Sequence, residues 1–220
     1  MYLSDIHTHS IASGHGTSCT ISDMAKAASK KGLKLLGITD HGPGTLAAGT
    51  SSYFRSLTYA PKKRFGIELL FGAELNILDT EGHLDLNDEL LSELDYAIAS
   101  MHAQNYKSGT VEENTSAYLN AMRHPCVKVL GHCDNPAFPV DYETLAFGAK
   151  EYGVIFEINE ASLMPDGYRG DTRANNKEIL RCCRKLEIPI VLSSDSHGAE
   201  HVGEFTYGAE FVHEMMFPER

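Results

Sequence analysis

The sequence predicts an α/β fold in which a mainly parallel sheet closes into a barrel. Short apolar segments alternate with helix-like segments along the 220 residues. Several of these segments are continuous apolar runs, such as Val154-Ile155-Phe156, as expected of strands buried on both faces. No Gly-x-Gly-x-x-Gly sequence opens a helix, which disfavours an open dinucleotide-binding sheet. No linker or low-complexity tract divides the chain, so we expect one domain over residues 1–220.

Seven strands are predicted in order, and each is followed by a helix or a loop. This repeat favours a closed barrel over a doubly wound sheet, and the chain length suits one barrel. The predicted strands are Leu3–His7, Leu35–Thr39, Glu68–Ile77, Tyr96–Met101, Val127–Gly131, Val154–Asn159 and Ile190–Ser193.

Helices are predicted between the strands from capping residues and apolar spacing. Thr110 and Glu113 form a capping box, and Gly153 stands where a helix commonly ends in a left-handed glycine. The predicted helices are Asp23–Lys31 with Ser22 as its cap, a helix from Thr110 to about Met122, Asp141–Tyr152, and a segment after Asp171 that stops before Pro189.

Gly42–Thr58 is rich in Gly, Ser and Thr, which is typical of a mobile surface loop near a functional site. The sequence stops at Arg220, soon after Phe205–Met216. We therefore expect a terminal helix that would close the barrel to be missing or reduced.

Composition limits the partners and the compartment. The formal net charge of -11 disfavours long nucleic acid, whose phosphates need many Lys and Arg contacts. A small anionic substrate is still compatible, because bound divalent cations reverse the local charge. Five cysteines, with no signal peptide before them, favour reduced thiols and a cytoplasmic location. No apolar run approaches the roughly 18 residues that span a bilayer, so no membrane partner is expected.

Histidine is the most informative residue type, with 11 in the chain. His7 and His9 lie two residues apart where the first predicted strand ends, and residues two apart on a strand point to the same side. The pattern recurs at the other strand ends, which converge on one mouth in an α/β barrel. The candidate metal ligands are His7, His9, His15, His41, Glu74, His102, His132, Asp195 and His197.

Nine imidazole and carboxylate ligands suit more than one divalent ion, and we expect three. Glu74 is the best bridge, because its two oxygens can bind two ions. This ligand chemistry fits zinc, with manganese or iron as alternatives. A water bound there would lose its proton near neutral pH and become a nucleophile.

These residues resemble the four motifs of the PHP (polymerase and histidinol phosphatase) family over nearly the whole chain. The likeness is carried by Asp5–His9, Thr39–His41, Glu74, His102, His132 and Ser194–His197. It implies a distorted, TIM-like (β/α)7 barrel with a trinuclear metal centre at its mouth. It further implies one ion among His7, His9, Glu74 and Asp195, a second held by Glu74, His102 and His132, and a third held by His15, His41 and His197.

Further residues are expected to serve catalysis or substrate binding. Glu74 and Asp195 are the predicted catalytic carboxylates, together with Asp40, which by position can hydrogen-bond a ligand or the attacking water. The predicted substrate-binding residues are Arg169, Arg173, Asn159 and Ser162, with the two arginines as a phosphate fork. Asp134 follows His132 closely, and three readings are open for it: repulsion of an anionic substrate, metal binding, or capping of its loop.

The function expected from the resemblance is metal-dependent hydrolysis of phosphate monoesters of a small metabolite. Histidinol phosphate hydrolysis and exonuclease action on nucleic-acid ends are alternatives within the family. C–N bond hydrolysis, as in amidohydrolase barrels, fits less well because no position for a carbamylated lysine is evident. A regulatory module that binds metal without turnover is the alternative from another class.

Overall fold

The computed structural model describes residues 3–216; Met1, Tyr2 and residues 217–220, which the single-domain prediction includes, lie outside the described part. The strands are β1 (Ser4–Asp5), β2 (Leu35–Ile38), β3 (Lys63–Arg64), β4 (Ile67–Phe71), β5 (Ala73–Asn76), β6 (Ala97–Ser100), β7 (Val127–Leu130), β8 (Ile155–Asn159) and β9 (Ile190–Ser193). The α-helices are α1 (Ile21–Lys30), α2 (Ser51–Leu57), α3 (Asp88–Leu91), α4 (Val111–Met122), α5 (Tyr142–Tyr152), α6 (Glu160–Leu163), α7 (Arg173–Leu186) and α8 (Thr206–Met216), and a 3₁₀ turn covers Ile11–Ser13.

The strands form a closed α/β barrel, as predicted. One sheet has the order β1-β2-β4-β3, and all its pairs are parallel except β3 with β4. The second sheet is parallel throughout, in the order β5-β6-β7-β8-β9. Parallel bridges between Thr8 and Ser196 and between His41 and Glu74 join the two sheets at both sides. Strands β4 and β5 follow one another directly and together occupy one position in the barrel. The barrel therefore has seven parallel strand positions, which makes it a distorted (β/α)7 barrel.

The distortion is concentrated at Gly72, between β4 and β5. The prediction of one continuous strand over Glu68–Ile77 is wrong, because β4 ends at Phe71 and β5 begins at Ala73. A Cβ at Gly72 would lie 2.6 Å from the carbonyl oxygen of Tyr96, which real side chains do not tolerate. The close approach lets β4 pair with β2 while β5 turns to pair with β6. The bend carries Glu74 into the barrel mouth.

Capping explains the helix boundaries. The Thr110–Glu113 capping box opens α4, and Gly153 ends α5 with φ +69°, both as predicted. The predicted start of α1 is wrong, because Thr20 is the cap rather than Ser22. The Thr20 side chain accepts a hydrogen bond from the backbone N–H of Asp23, and the Asp23 carboxylate accepts one from Thr20 in return. This reciprocal pair outcompetes a single serine cap.

The loop prediction for Gly42–Thr58 is wrong in part. Gly42–Thr58 contains α2, and its Phe54 and Leu57 are buried in the core. Their three-residue spacing puts both on one helix face. The segment Phe205–Met216, after which a terminal helix was expected to be missing or reduced, contains helix α8. Helix α8 packs against α6 and α7, with Phe211 buried and with Glu160 accepting hydrogen bonds from the first turn of α8.

The core lies between the barrel strands and the surrounding helices, and leaves the carboxyl ends of the strands for polar groups. Leu36, Leu69, Leu75 and Phe156 are fully buried strand residues within it. Within residues 3–216, no helix is long and apolar enough to cross a membrane.

Candidate metal centre

The nine predicted ligands lie together at the carboxyl-terminal mouth of the barrel, and Glu74 is at their centre. Its Oε1 lies 2.7 Å from His132 Nε2 and 3.3 Å from His102 Nε2. Its Oε2 faces a second group of imidazoles at distances of 2.7 to 3.5 Å: His41, His7 and His9. The two carboxylate oxygens therefore face different histidines, which is the arrangement a bridging ligand requires.

Asp195 and the remaining histidines complete the cluster. Asp195 Oδ1 lies 3.1 Å from His9 Nε2, and the ring of His197 stacks on that of His9 with centroids 4.1 Å apart. His15 is exposed at the rim, with its ring centroid 4.9 Å from that of His41 and 5.1 Å from that of His197.

Many donor atoms of the cluster are buried without a hydrogen-bond partner. Buried polar groups normally have partners, because leaving one unmet costs about 1–3 kcal/mol. The unmatched cluster atoms are Nε2 of His7, His9 and His197, Nδ1 of His41 and His132, and Oε2 of Glu74. A set of unmatched imidazole nitrogens around carboxylate oxygens fits divalent metal ions, so the residues present suit the group that the sequence predicts.

The donors group differently from the three sets that the family resemblance implies. Within the cluster, three triplets have all donor atoms within 4.8 Å of one another: His7, His9 and Asp195; His9, His41 and His197; His41, Glu74 and His102. His9 therefore takes the place expected of His15 beside His41 and His197. The reason is the loop path, since the short 3₁₀ turn carries His15 outward to the rim.

The backbone around the centre has unusual conformations. His132 and Asp195 have positive φ angles of 27° and 53°, which are uncommon for residues other than glycine. Each lies two residues beyond a strand end and turns its side chain back into the mouth. Gly14 and Gly16 also have positive φ, and they flank His15 in its turn. Strain of this kind persists where packing fixes it, typically at functional sites.

Glu157 organises one side of the cluster and is absent from the residues predicted from sequence. Its Oε1 accepts hydrogen bonds from His7 Nδ1, at 2.6 Å, and from the Ser193 hydroxyl. Its Oε2 accepts from the backbone N–H of His132, at 2.6 Å, and from Asn159 Nδ2, at 3.1 Å. With Nδ1 bonded to Glu157, the other ring nitrogen of His7, Nε2, faces Glu74 and Asp195. The signal available in the sequence was a carboxylate inside the apolar strand Val154–Asn159.

Asp40 holds the opposite side from behind. Its carboxylate accepts hydrogen bonds from the backbone N–H and hydroxyl of Ser10, from the Ser13 hydroxyl and from the Tyr53 hydroxyl. Ser13 Oγ in turn lies 2.8 Å from Nδ1 of His9. Asp40 therefore reaches the cluster through Ser13, which favours a positioning role over the catalytic role expected from sequence. Neither the Tyr53 hydroxyl nor the Ser13 hydroxyl was predicted to contact this carboxylate.

A third anchor fixes His102 through an amide. Asn76 Oδ1 lies 2.7 Å from His102 Nδ1, so the Nε2 of that ring faces Glu74. The Asn76 amide nitrogen donates to Asp85 at 2.6 Å, and the Asp85 carboxylate also accepts from the backbone N–H of Gly44. Such outer contacts fix ring orientation and tautomer in metal sites.

Electrostatics keep the carboxylates ionised and several imidazoles neutral. Burial opposes ionisation of Glu74, but the neighbouring His41 and His102 hold its pKa well below the ordinary value. Burial likewise opposes ionisation of Asp195, whose pKa is held well below its usual range by nearby cationic groups, foremost His7. Burial lowers the pKa of His132 to about 4, with a contribution from the Arg169 charge. Ionised carboxylates and neutral imidazoles are the forms that bind metal.

The predicted substrate-binding residues divide into two groups. Arg169 is buried at the cavity wall, where it donates to Asp195 Oδ2 at 2.7 Å, to Asn159 Oδ1 and to Ser162 Oγ. Asn159 and Ser162 are thus occupied within the protein. The phosphate fork is wrong for Arg173, which lies on exposed α7 and pairs with Glu214 of α8.

Asp134 also lies behind the cavity rather than in it. Its carboxylate accepts hydrogen bonds from Asn176 Nδ2 at 2.6 Å and from Ser162 Oγ at 3.2 Å. Burial raises the pKa of this carboxyl to about 6. Asp134 is absent from the metal-compatible triplets of the described residues, so the expected repulsion and metal binding have no geometric support.

A cavity of about 610 Å³ opens above the cluster. Its floor contains His41, His102, His132 and His197, and its rim contains His15. The far wall is formed by Met101, Ala103, Gln104, Asn135, Ala137, Phe138, Tyr168 and Arg169. The volume suits a small molecule, and the opening is at the face where α/β barrels carry their active sites.

Comparisons with known proteins agree with this architecture. A probable phosphatase of Clostridium novyi is 40% identical over 217 residues, which is 99% of this chain and 88% of the relative. One from Thermoanaerobacter is 42% identical over 202 residues, covering 91% and 81%. The histidinol phosphate phosphatase of Lactococcus lactis, solved with zinc, L-histidinol and phosphate, has a TM-score of 0.61 at 18% identity, covering 97% and 94%, and shows the shared fold. The family model described as the PHP domain matches residues 5–162. The chain belongs to the PHP domain family.

Proposed function

We propose that this chain is a metal-dependent phosphatase that hydrolyses phosphate monoesters of a small metabolite. The observation that carries the proposal is the convergence of unpartnered buried imidazole and carboxylate atoms on Glu74 beneath an open cavity. The curated relatives named above are described as probable phosphatases. We infer that the matched chain acts as one functional domain.

The proposed ligands are the nine predicted side chains. We propose that they hold three divalent ions, with zinc the favoured metal. When bound, such ions bind phosphoryl oxygens as Lewis acids and lower the pKa of water. Glu74 would serve two ions, because its oxygens face separate groups of histidines. Glu157, Ser13 and Asn76 hold His7, His9 and His102 in the tautomers that expose Nε2.

The protein's own residues also shape the reacting region. Arg169 is fixed by Asp195, so its guanidinium stays at the cavity wall without an ordering cost when substrate enters. Glu74 and Asp195 would stay ionised as metal ligands rather than accept a proton, because metal binding requires the carboxylate form. Their proposed catalytic role is therefore electrostatic. A reducing location such as the cytoplasm is proposed from the five free cysteines.

The direct test is hydrolysis of phosphate esters by protein saturated with zinc or manganese. Histidinol phosphate, nucleotides and single-stranded DNA are assayed beside simple monoesters, which separates the family alternatives. His41→Ala should abolish turnover, whereas His201→Ala is the matched control, because His201 pairs with Glu204 at the surface, apart from the cluster. Absence of turnover of every ester at full metal occupancy would contradict the proposal and favour a binding module.

A further inference from the structure

The cavity wall opposite the metal-ligand candidates is mostly apolar. Met101 and Phe138 form its buried part, and Ala103, Ala137 and Tyr168 continue it toward solvent. Phe138 is fixed from behind by the ring of Tyr106, with centroids 6.1 Å apart. A ligand whose phosphate lies at the histidines would place its other end against this wall.

The ionisable side chains that line the cavity are histidines, Tyr168 and Arg169. Among the described residues, the lining contains no Asp or Glu. Its cationic side chain, Arg169, already has its charge balanced by Asp195. The nearest carboxylate along the wall segment, that of Asp134, turns away to Asn176 and Ser162. An ammonium group entering the cavity would thus lose water without gaining an anionic partner, which is costly.

We propose that this wall is the leaving-group subsite of the phosphatase and that it selects a neutral, apolar or aromatic group over an amino alcohol. The inference rests on the proposed function and names its substrate class. It sets the chain apart from a histidinol phosphate phosphatase, because the histidinol side carries an amine. Gln104 is the polar wall residue at which an added negative charge tests this selection most directly. It is exposed, and glutamate has nearly the same shape as glutamine.

The experiment compares benzyl phosphate, ethyl phosphate and 2-aminoethyl phosphate, whose leaving groups are all primary alcohols. We expect kcat/KM for the benzyl ester to exceed that for the aminoethyl ester by roughly tenfold or more, with the ethyl ester between them. Gln104→Glu should narrow the benzyl-to-aminoethyl ratio by roughly tenfold, because it supplies the missing carboxylate. Ala174→Asp adds the same charge on exposed α7, outside the cavity lining, and should leave the ratio unchanged.

Binding of the non-hydrolysable benzylphosphonate and 2-aminoethylphosphonate, measured by calorimetry, provides a readout independent of turnover. Equal or reversed preference in turnover and in binding overturns the subsite while leaving the phosphatase proposal in place. Absence of turnover of all three esters overturns the phosphatase proposal. In that case a tighter benzylphosphonate supports an apolar binding subsite beside the histidines but no leaving-group role, and equal affinities overturn the subsite.

Discussion

Glu157→Gln is the substitution whose consequence the structure fixes most narrowly. All four partners of the Glu157 carboxylate are donors: His7 Nδ1–H, the Ser193 hydroxyl, the His132 backbone N–H and the Asn159 amide. A glutamine places an NH₂ against two of them in either orientation. Toward His132 and Asn159 the donors clash. Toward His7 the clash ends only if the proton moves to Nε2, which then has no lone pair for a metal ion.

Two hydrogen bonds to a buried charged acceptor are lost, and each contributes about 1.5–3 kcal/mol. The free energy of unfolding should therefore fall by about 3–6 kcal/mol. Metal affinity should fall by roughly 10- to 100-fold, as for other outer contacts of metal ligands. The assays are denaturant unfolding and competition for zinc with a chelator of known affinity.

Two control variants separate metal binding from stability. Ser193→Ala removes one donor to Glu157 but leaves the proton of His7 on Nδ1, so zinc affinity should stay within roughly threefold. Glu151→Gln changes an exposed glutamate on α5 and should alter neither quantity. Unchanged zinc affinity in a folded Glu157→Gln protein would refute the reasoning about the His7 tautomer.

Three further outcomes are expected. Zinc at about one hundred times its Kd should raise the Tm by about 5–10 °C in calorimetry and a chelator should reverse this, since unmatched cluster atoms gain partners; an unchanged Tm argues against metal binding. Tyr53→Phe should lower the free energy of unfolding by about 1.5–3 kcal/mol through loss of its bond to Asp40, and a loss below about 0.5 kcal/mol would count against that network. In denaturant unfolding, Arg169→Ala should lower the free energy of unfolding by about 3–5 kcal/mol, because buried Asp195 loses its partner. Arg173→Ala should lower it by under about 1 kcal/mol, because its pair with Glu214 is exposed. Equal losses would contradict the buried role of Arg169.

The sequence predicted the barrel and the composition of the cluster because both follow from local rules. Parallel strands buried on both faces read as apolar runs, and side chains at their carboxyl ends converge wherever the loops lead. His7 and His9 needed only the two-residue period of a strand to be placed on one side. The prediction therefore required no knowledge of which strands pair.

Contacts between distant segments were not readable in the same way. The bond from Asp40 to Tyr53 depends on how the segment after β2 folds back, and Gly, Ser and Thr there concealed helix α2. Arg169 and Arg173 stand four residues apart, yet the loop into α7 buries one and exposes the other. His15 was expected among the inner ligands, and the 3₁₀ turn before it carries it to the rim. Such loop paths set each side chain's environment.

Metal content per chain tests the central claim most directly. Protein saturated with zinc and then freed of unbound metal is measured by mass spectrometry, beside His41→Ala and the surface control His201→Ala. We predict three ions per chain in the parent and in His201→Ala, and fewer in His41→Ala, because His41 belongs to two of the donor triplets. One ion or none in the parent protein would contradict a centre built around Glu74.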